Sequence, residues 1–400
     1  MSLPAPISSR RGRQAVDLAW EVTKLNCRSP ITINAELIAA YQAASSPHSL
    51  RALASDIEAF DHWCRRNGRV TLPATPETVA DYLDARAGQG AKPASLGRYK
   101  ASIAKIHQLL DIKDPTQAEL VKLRLRAIRR EKGSTQAQAR PLRFKGPVRN
   151  VERDAPRGLN VRGLLEACAD DLPGLRDRAL LSVAYDTGLR ASELVAVEVE
   201  HIVDAIDPEA RLLTISRSKG DQEGKGATAF LSPRSVRAIA AWTAAADIEE
   251  GPLFRRVQVR RYKARAAVKG RRIETISGRE SWDLRKTLPK SAVPARTEYD
   301  VGEGALHPGS IGLIWRAMIQ RAFDKGALSD LTADDLAQLL KGVSAHSTRV
   351  GLNQDLFASG EDLAGIMDAL RWKSPRMPLA YNRNLAAEQG AAGRLIAKIG

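Results

Sequence analysis

Cysteine is scarce in this chain. Cys27, Cys64 and Cys168 are the three among 400 residues, far apart and outside any CxxC pattern. That excludes a disulfide framework and a cysteine zinc site, and it fits a reducing compartment. The six histidines form no HxxxH-type cluster, so no metal is implied. No Walker-type phosphate loop occurs, so ATP is not implied either. No apolar run approaches the ~20 residues needed to span a bilayer. Met1 to Arg13 leads into mixed polar sequence rather than the apolar core of a secretory leader. The expectation is a cytoplasmic, nucleoid-associated protein encoded by a bacterium, phage or plasmid, with no cofactor.

Positive charge is abundant. The formal net charge is +16 and hydrophobic residues make up 44%, so ordinary cores can form around a surface that seeks a polyanion. Nucleic acid is the first candidate and a membrane surface the second. The length suggests two domains.

The chemistry sits in short, scattered segments. These read Thr-Gly-Leu-Arg-Ala-Ser-Glu-Leu, Ser-Lys-Gly-Asp-Gln-Glu-Gly, Ala-His-Ser-Thr-Arg-Val-Gly, Arg-Trp-Lys-Ser and Ala-Tyr-Asn-Arg. They contribute Arg190, Glu193, Lys219, His346, Arg349, Trp372 and Tyr381. Cleaving a phosphodiester without metal needs donors for a transition state that gathers about one further negative charge, and preorganised Arg and Lys supply them. Arg grips two oxygens with its planar fork. A tyrosine hydroxyl, with an ordinary pKa of about 10, needs a base or a positive field to attack. Lysine or histidine can protonate the leaving oxygen. Arg190 with Glu193, and His346 with Arg349, are each spaced i, i+3 and share a helix face. Lys219 lies between expected strands at 211–217 and 227–231, in a tract that reads as a hairpin loop. Taken singly, each residue has a plainer reading. Tyr381 is then a packed or surface side chain, Arg190 with Glu193 a surface helix pair, Lys219 a solvated loop residue, His346 a buried hydrogen-bonded ring and Trp372 a core anchor.

The ordered set resembles the tyrosine recombinase (phage integrase) family, and within it the Cre-like branch, over roughly residues 40 to 400. Trp372 stands where many members have histidine, and Tyr381 follows nine residues later. The resemblance implies a mainly α fold with a small antiparallel β-sheet. It implies a two-domain clamp: an N-terminal helical core-binding domain and a tyrosine recombinase catalytic domain. It also implies a site-specific recombinase acting on double-stranded DNA with inverted-repeat sites, as a homotetramer on two sites, through a Holliday junction. By the same resemblance Tyr381 attacks the scissile phosphate to form a 3′-phosphotyrosyl link. Arg190 and Arg349 bind its non-bridging oxygens. His346 and Trp372 hydrogen-bond the phosphate, with His346 also placed for proton transfer from Tyr381. Lys219 protonates the leaving 5′-oxygen and Glu193 orients its neighbours. A type IB topoisomerase, a telomere resolvase, or a non-catalytic DNA-binding protein on the same fold stay open; so does an RNA-binding protein, though no RNA-module signature is present.

Along the chain, residues 1–40 read as a flexible tail in which Arg10, Arg11 and Arg13 could touch phosphate. Residues 41–135 hold four helical patterns, at about 47–66, from 76, 93–110 and 115–131, and form the core-binding domain. Lys92, Arg98, Lys100 and Lys105 decorate the third pattern; Lys122, Arg126, Arg129 and Arg130 decorate the fourth. Both sets are read as DNA contacts, against the plainer reading of a solvated basic face. Residues 136–157 read as a linker crossing DNA, and 158–400 as the catalytic domain. Between Arg255 and Arg296 stand 14 Lys or Arg against three acids. This stretch, taken as an insertion over 255–300, is either an extra DNA-contacting element or a disordered basic loop. Arg260, Arg261, Lys263 and Arg271 are its proposed DNA contacts, with strands expected at 257–262 and 273–276. Residues 386–399 read as an amphipathic helix that docks on a neighbouring protomer or folds back on its own domain.

Overall fold

A computed structural model describes residues 16–28, 32–133, 138–215, 226–270, 272–274, 278–282, 289–383, 385, 396 and 399. The chain divides into two compact units, Met1–Ala137 and Gln138–Gly400.

The first unit is helical: α1 (Leu18–Thr23), α2 (Ala35–Ala44), α3 (Pro47–Arg66), α4 (Pro76–Gly88), α5 (Pro93–Leu109) and α6 (Glu119–Lys132). Prolines at the first turns of α3, α4 and α5 start helices where the missing N–H costs nothing. Thr75 caps α4 by accepting from the Thr78 backbone N–H. The expected apolar stripe of α3 is buried through Leu50, Leu53, Ile57 and Phe60, and it packs with Tyr82, Leu83, Leu96, Ile103 and Ile106 into one core. Two expectations need correction. The fourth pattern breaks after a 3₁₀ turn at Pro115–Gln117, which Asp114 caps. The tail expected over 1–40 already contains two helices, with Leu18, Val22 and Ile38 buried in the same core. Helices this short show too few turns for a periodicity to read. Arg10, Arg11 and Arg13 lie outside the described residues.

The second unit begins earlier than expected. Of residues 136–157, read as a linker, those from Gln138 onward belong to it. Arg140 N–H donates to the Gly342 carbonyl at 2.8 Å and Leu142 N–H to the Ser347 carbonyl at 2.9 Å. Leu142 is fully buried. A Cβ at Gly351 would lie 1.9 Å from the Leu142 carbonyl oxygen, so only glycine lets the two backbones approach this closely. Then follow α7 (Val161–Glu166), α8 (Leu172–Thr187) and α9 (Ala191–Leu194). An antiparallel sheet comes next, β1 (Ile202–Asp204), β2 (Arg211–Ile215) and β3 (Ala227–Leu231), in the order β1-β2-β3, and then α10 (Pro233–Ala246). Helix α8 is buried all round from Ala179 to Ala184, Ser182 included, because it is the central helix, packed by α10, α13 (Ser347–Ala358) and β3.

The basic stretch forms strands. β4 (Arg255–Tyr262) pairs with β7 (Arg296–Ala305), and β5 (Arg272–Glu274) with β6 (Glu280–Trp282). The first expected strand is therefore present, with a partner that begins at Arg296, and β5 covers the described part of the second. Bridges Arg265↔Val293 and Val268↔Lys290 extend the ladder outward. The pairing sets acidic residues beside the basic strand. β7 brings Glu298, Asp300 and Glu303, and sets Glu298 opposite Arg260 and Asp300 opposite Gln258. Arg296 lies 4.8 Å over the Tyr262 ring. Helices α11 (Ile311–Asp324), α12 (Ala333–Gly342), α13, α14 (Leu363–Ala369) and α15 (Arg376–Tyr381) complete the unit. No described helix is long and apolar enough to cross a membrane.

Candidate active site

All seven candidates fall within the second unit, and six of them are among the described residues. The site begins where α8 ends. Gly188 takes the left-handed conformation, φ +55°, and a Cβ there would lie 2.4 Å from the Leu370 side chain. The turn delivers Arg190 to the start of α9. Its backbone N–H donates to Glu193 Oε2 at 2.9 Å, and its Nη1 donates to Oε1 at 2.7 Å. Burial pushes the Glu193 carboxyl up. The two Arg190 bonds and the Arg190 and Arg349 charges together outweigh burial and hold it below the usual range. Glu193 is thus an ionised clamp on a half-exposed Arg190.

Arg349 is 1% exposed. Nη1 donates to the Gly188 carbonyl at 2.5 Å and Nη2 donates to the Leu370 carbonyl. It thereby satisfies orphan carbonyls at the ends of α8 and α14. Its guanidinium carbon sits 4.9 Å over the Trp372 ring. Burial, then repulsion from Arg190 and Arg371, pushes Arg349 down to about 9, so it stays charged at neutral pH.

His346 Nε2 and the Tyr381 hydroxyl are 2.7 Å apart. Burial first, then the Arg349 and Arg190 charges, lowers the His346 ring to about 4. The ring is therefore neutral at pH 7 and able to accept the phenol's proton. Burial raises the Tyr381 phenol, partly offset by Arg349 and Arg190, so this phenol needs a base. Trp372 packs against Ile366, Leu370 and Tyr381, with its ring centre 5.7 Å from the tyrosine ring. Tyr381 ends α15, which is pinned to α13. Gln354 Nε2 donates to the Tyr381 carbonyl at 3.0 Å, and Asn353 Nδ2 to Asn382 Oδ1 at 2.9 Å. Sequence does not reveal these pins, because Asn and Gln on a helix look like ordinary surface residues. Lys219 lies outside the described residues.

A Phage integrase family model matches residues 157–288 and a Phage integrase N-terminal SAM-like domain model matches 40–112. The chain belongs to the phage integrase family of tyrosine recombinases. An integrase/recombinase xerD homolog of Selenomonas ruminantium is 31% identical over 225 residues, 54% of this chain and 61% of that protein, so the match spans under two thirds of its length. Recombinase cre of Escherichia phage P1 is 25% identical over 357 residues, covering 88% and 89% of the two chains. In fold, the chain resembles the XerH site-specific recombinase solved on a palindromic difH substrate. The TM-score is 0.50 at 13% identity, over 89% of this chain and 83% of that one.

The proposed DNA contacts of this integrase-family chain sort unevenly. In the first unit Lys92, Lys122, Arg126, Arg129 and Arg130 are exposed. Arg98 is exposed too, and it is also paired at 2.9 Å with the buried Asp56 and lies over Tyr99. Lys100 is half-buried. Lys105 is also half-buried, bonding to Gln108 and lying over the Tyr41 ring. In the second unit Arg260, Arg261 and Lys263 are exposed along β4 and just beyond it, and Arg271 lies outside the described residues. Behind the site, buried Asp355 of α13 accepts from Arg143 Nε at 2.6 Å, Phe144 N–H at 2.7 Å and Tyr185 hydroxyl at 2.5 Å. This bonding ties α13 and α8 to the segment that reads as a linker in sequence.

Proposed function

We propose that this chain is a site-specific DNA recombinase that cuts and rejoins strands through a 3′-phosphotyrosyl intermediate, without metal or nucleotide. The observation that carries the reading is the 2.7 Å contact between the Tyr381 hydroxyl and neutral His346, beside Arg190, Arg349 and Trp372. In this reading the Tyr381 oxygen attacks phosphorus as its proton passes to His346 Nε2. An O–P bond forms to the phenol and the bond to the 5′-oxygen breaks. Lys219 gives that oxygen its proton, leaving a 5′-hydroxyl. Arg190 and Arg349 stabilise the pentavalent phosphorus, and Glu193 holds Arg190 in register. The covalent link conserves the bond energy, so rejoining needs no ATP. Four protomers on two inverted-repeat duplex sites exchange strands in two rounds through a Holliday junction. The terminal segment 386–399, which lies mostly outside the described residues, docks each protomer on the next. Names and titles of the relatives, recombinases among them and one solved on its DNA site, support a duplex DNA substrate.

The test is a labelled suicide duplex, selected for binding and nicked near the cleavage position, incubated with EDTA. The parent should give a covalent adduct on a denaturing gel that Tyr381→Phe does not. Site-selective binding without an adduct from the parent would overturn the catalytic reading in favour of a DNA-binding protein.

A further inference from the structure

Between Leu370, whose carbonyl holds Arg349, and Trp372, over which Arg349 stacks, stands Arg371. Its backbone is in the left-handed region, φ +53°, where a side chain other than glycine is strained. Its Nη2 donates to the Thr187 carbonyl at 3.1 Å, next to the Gly188 carbonyl that Arg349 takes. Its Nε and Nη1 are buried and find no acceptor among the described residues, nor does any described carboxylate form an ion pair with it. Capping α8 accounts for one of its N–H groups. Capping does not explain a strained backbone, two buried nitrogens without acceptors and a half-buried charge, each of which is costly.

We propose that Arg371 is a positioning residue for strand cleavage, a third arginine of the site, half-buried, whose charge helps to balance the doubly negative transition state alongside Arg190 and Arg349. This rests on the recombinase reading above. Among the described groups at neutral pH, Arg190, Arg349 and Arg371 face one carboxylate, Glu193, and His346 is neutral. These described groups carry two net positive charges, and Lys219 of the reading above adds a third. The pentavalent transition state holds one more negative charge than the bound phosphodiester, so a fixed positive charge at Arg371 stabilises it more than the ground state. Its loss should thus fall on the cleavage rate rather than on binding. The Arg190 and Glu193 charges both act on the Arg371 guanidinium, in keeping with its place in this set.

The experiment is single-turnover cleavage of the same nicked duplex by the parent, Arg371→Gly and Arg371→Lys. A second substrate carries a methylphosphonate at the scissile position, which removes one negative charge. Glycine suits φ +53°, so thermal unfolding of Arg371→Gly should match the parent. Its adduct should form about 100-fold more slowly on the phosphate, the scale of losing one preorganised donor, with half-saturation unchanged. On the methylphosphonate the deficit should nearly vanish, and Arg371→Lys should recover most of the rate. Cleavage of the phosphate by Arg371→Gly within about threefold of the parent, or an equal deficit on both substrates, would overturn the proposal and leave a helix cap. A parent that forms no adduct would remove the recombinase reading, and this inference with it.

Discussion

The neutral His346 ring makes the folded protein sensitive to acid in a defined window. Burial lowers its pKa from 6.5 to about 4, with Arg349 and Arg190 adding and Glu193 opposing. The unfolded chain takes up a proton on this ring below about pH 6.5, whereas the folded chain does so only near 4. As pH falls through that window the unfolded state binds more protons, so stability declines. At pH 4.5 the loss works out at about 2.5 kcal/mol, or roughly half that where solvent screens the uncovered part of the ring. The assay is urea unfolding of the parent and His346→Gln between pH 7.5 and 4.5. Carboxylates titrate alike in both proteins, so the difference between the curves isolates the histidine. The parent should lose about 1–2.5 kcal/mol more than the variant on acidification. Curves that stay parallel to within about 0.5 kcal/mol would refute the buried neutral ring, and with it the proton acceptor for Tyr381. Bound DNA adds negative charge beside the ring and raises its pKa, so the acid limb of cleavage should lie above the DNA-free value.

Asp355→Ala strips the buried Arg143 of its carboxylate and orphans the Phe144 N–H. It should cost about 3–5 kcal/mol, the scale of breaking a buried pair, read as a large fall in the calorimetric midpoint; a loss below about 1 kcal/mol would make the network peripheral. Trp372→His should still form the adduct, while Trp372→Phe, which keeps a ring but no N–H donor, should be roughly 10- to 100-fold slower. Parental cleavage by Trp372→Phe would leave Trp372 as the packing floor of Tyr381 and nothing more. Replacing Arg260 and Arg261 together by alanine should flatten the log–log salt dependence of DNA binding by about 1.8, near 0.9 for each phosphate no longer neutralised. An unchanged slope would place the β4 arm off the DNA.

The family resemblance, carried by residue types in a fixed order, singles out Arg190, Glu193, His346, Arg349, Trp372 and Tyr381, and the fold brings these six together. Strong periodicity likewise fixes α3 at Pro47–Arg66 and α10 at Pro233–Ala246 to their ends. What cannot be read is any relation set by backbone carbonyls or by partners remote in sequence. Arg349 reads as a phosphate ligand, yet two of its nitrogens hold the Gly188 and Leu370 carbonyls, and no sequence pattern records a carbonyl. The same holds for residues 136–157, where Pro and Gly suggest a linker. The docking depends on Gly351 leaving room for Leu142, some 200 positions away. The partner of β4 escapes sequence reading for a related reason. The basic stretch ends at Arg296, the first residue of the acid-bearing strand that pairs with it. In each case the missing information is the identity of a neighbour in space. Arg371 belongs to this group too. In sequence it is one more arginine in a basic chain. Its left-handed backbone and unpaired nitrogens, flanked by the two residues that hold Arg349, set it apart from the arginines that only coat the surface.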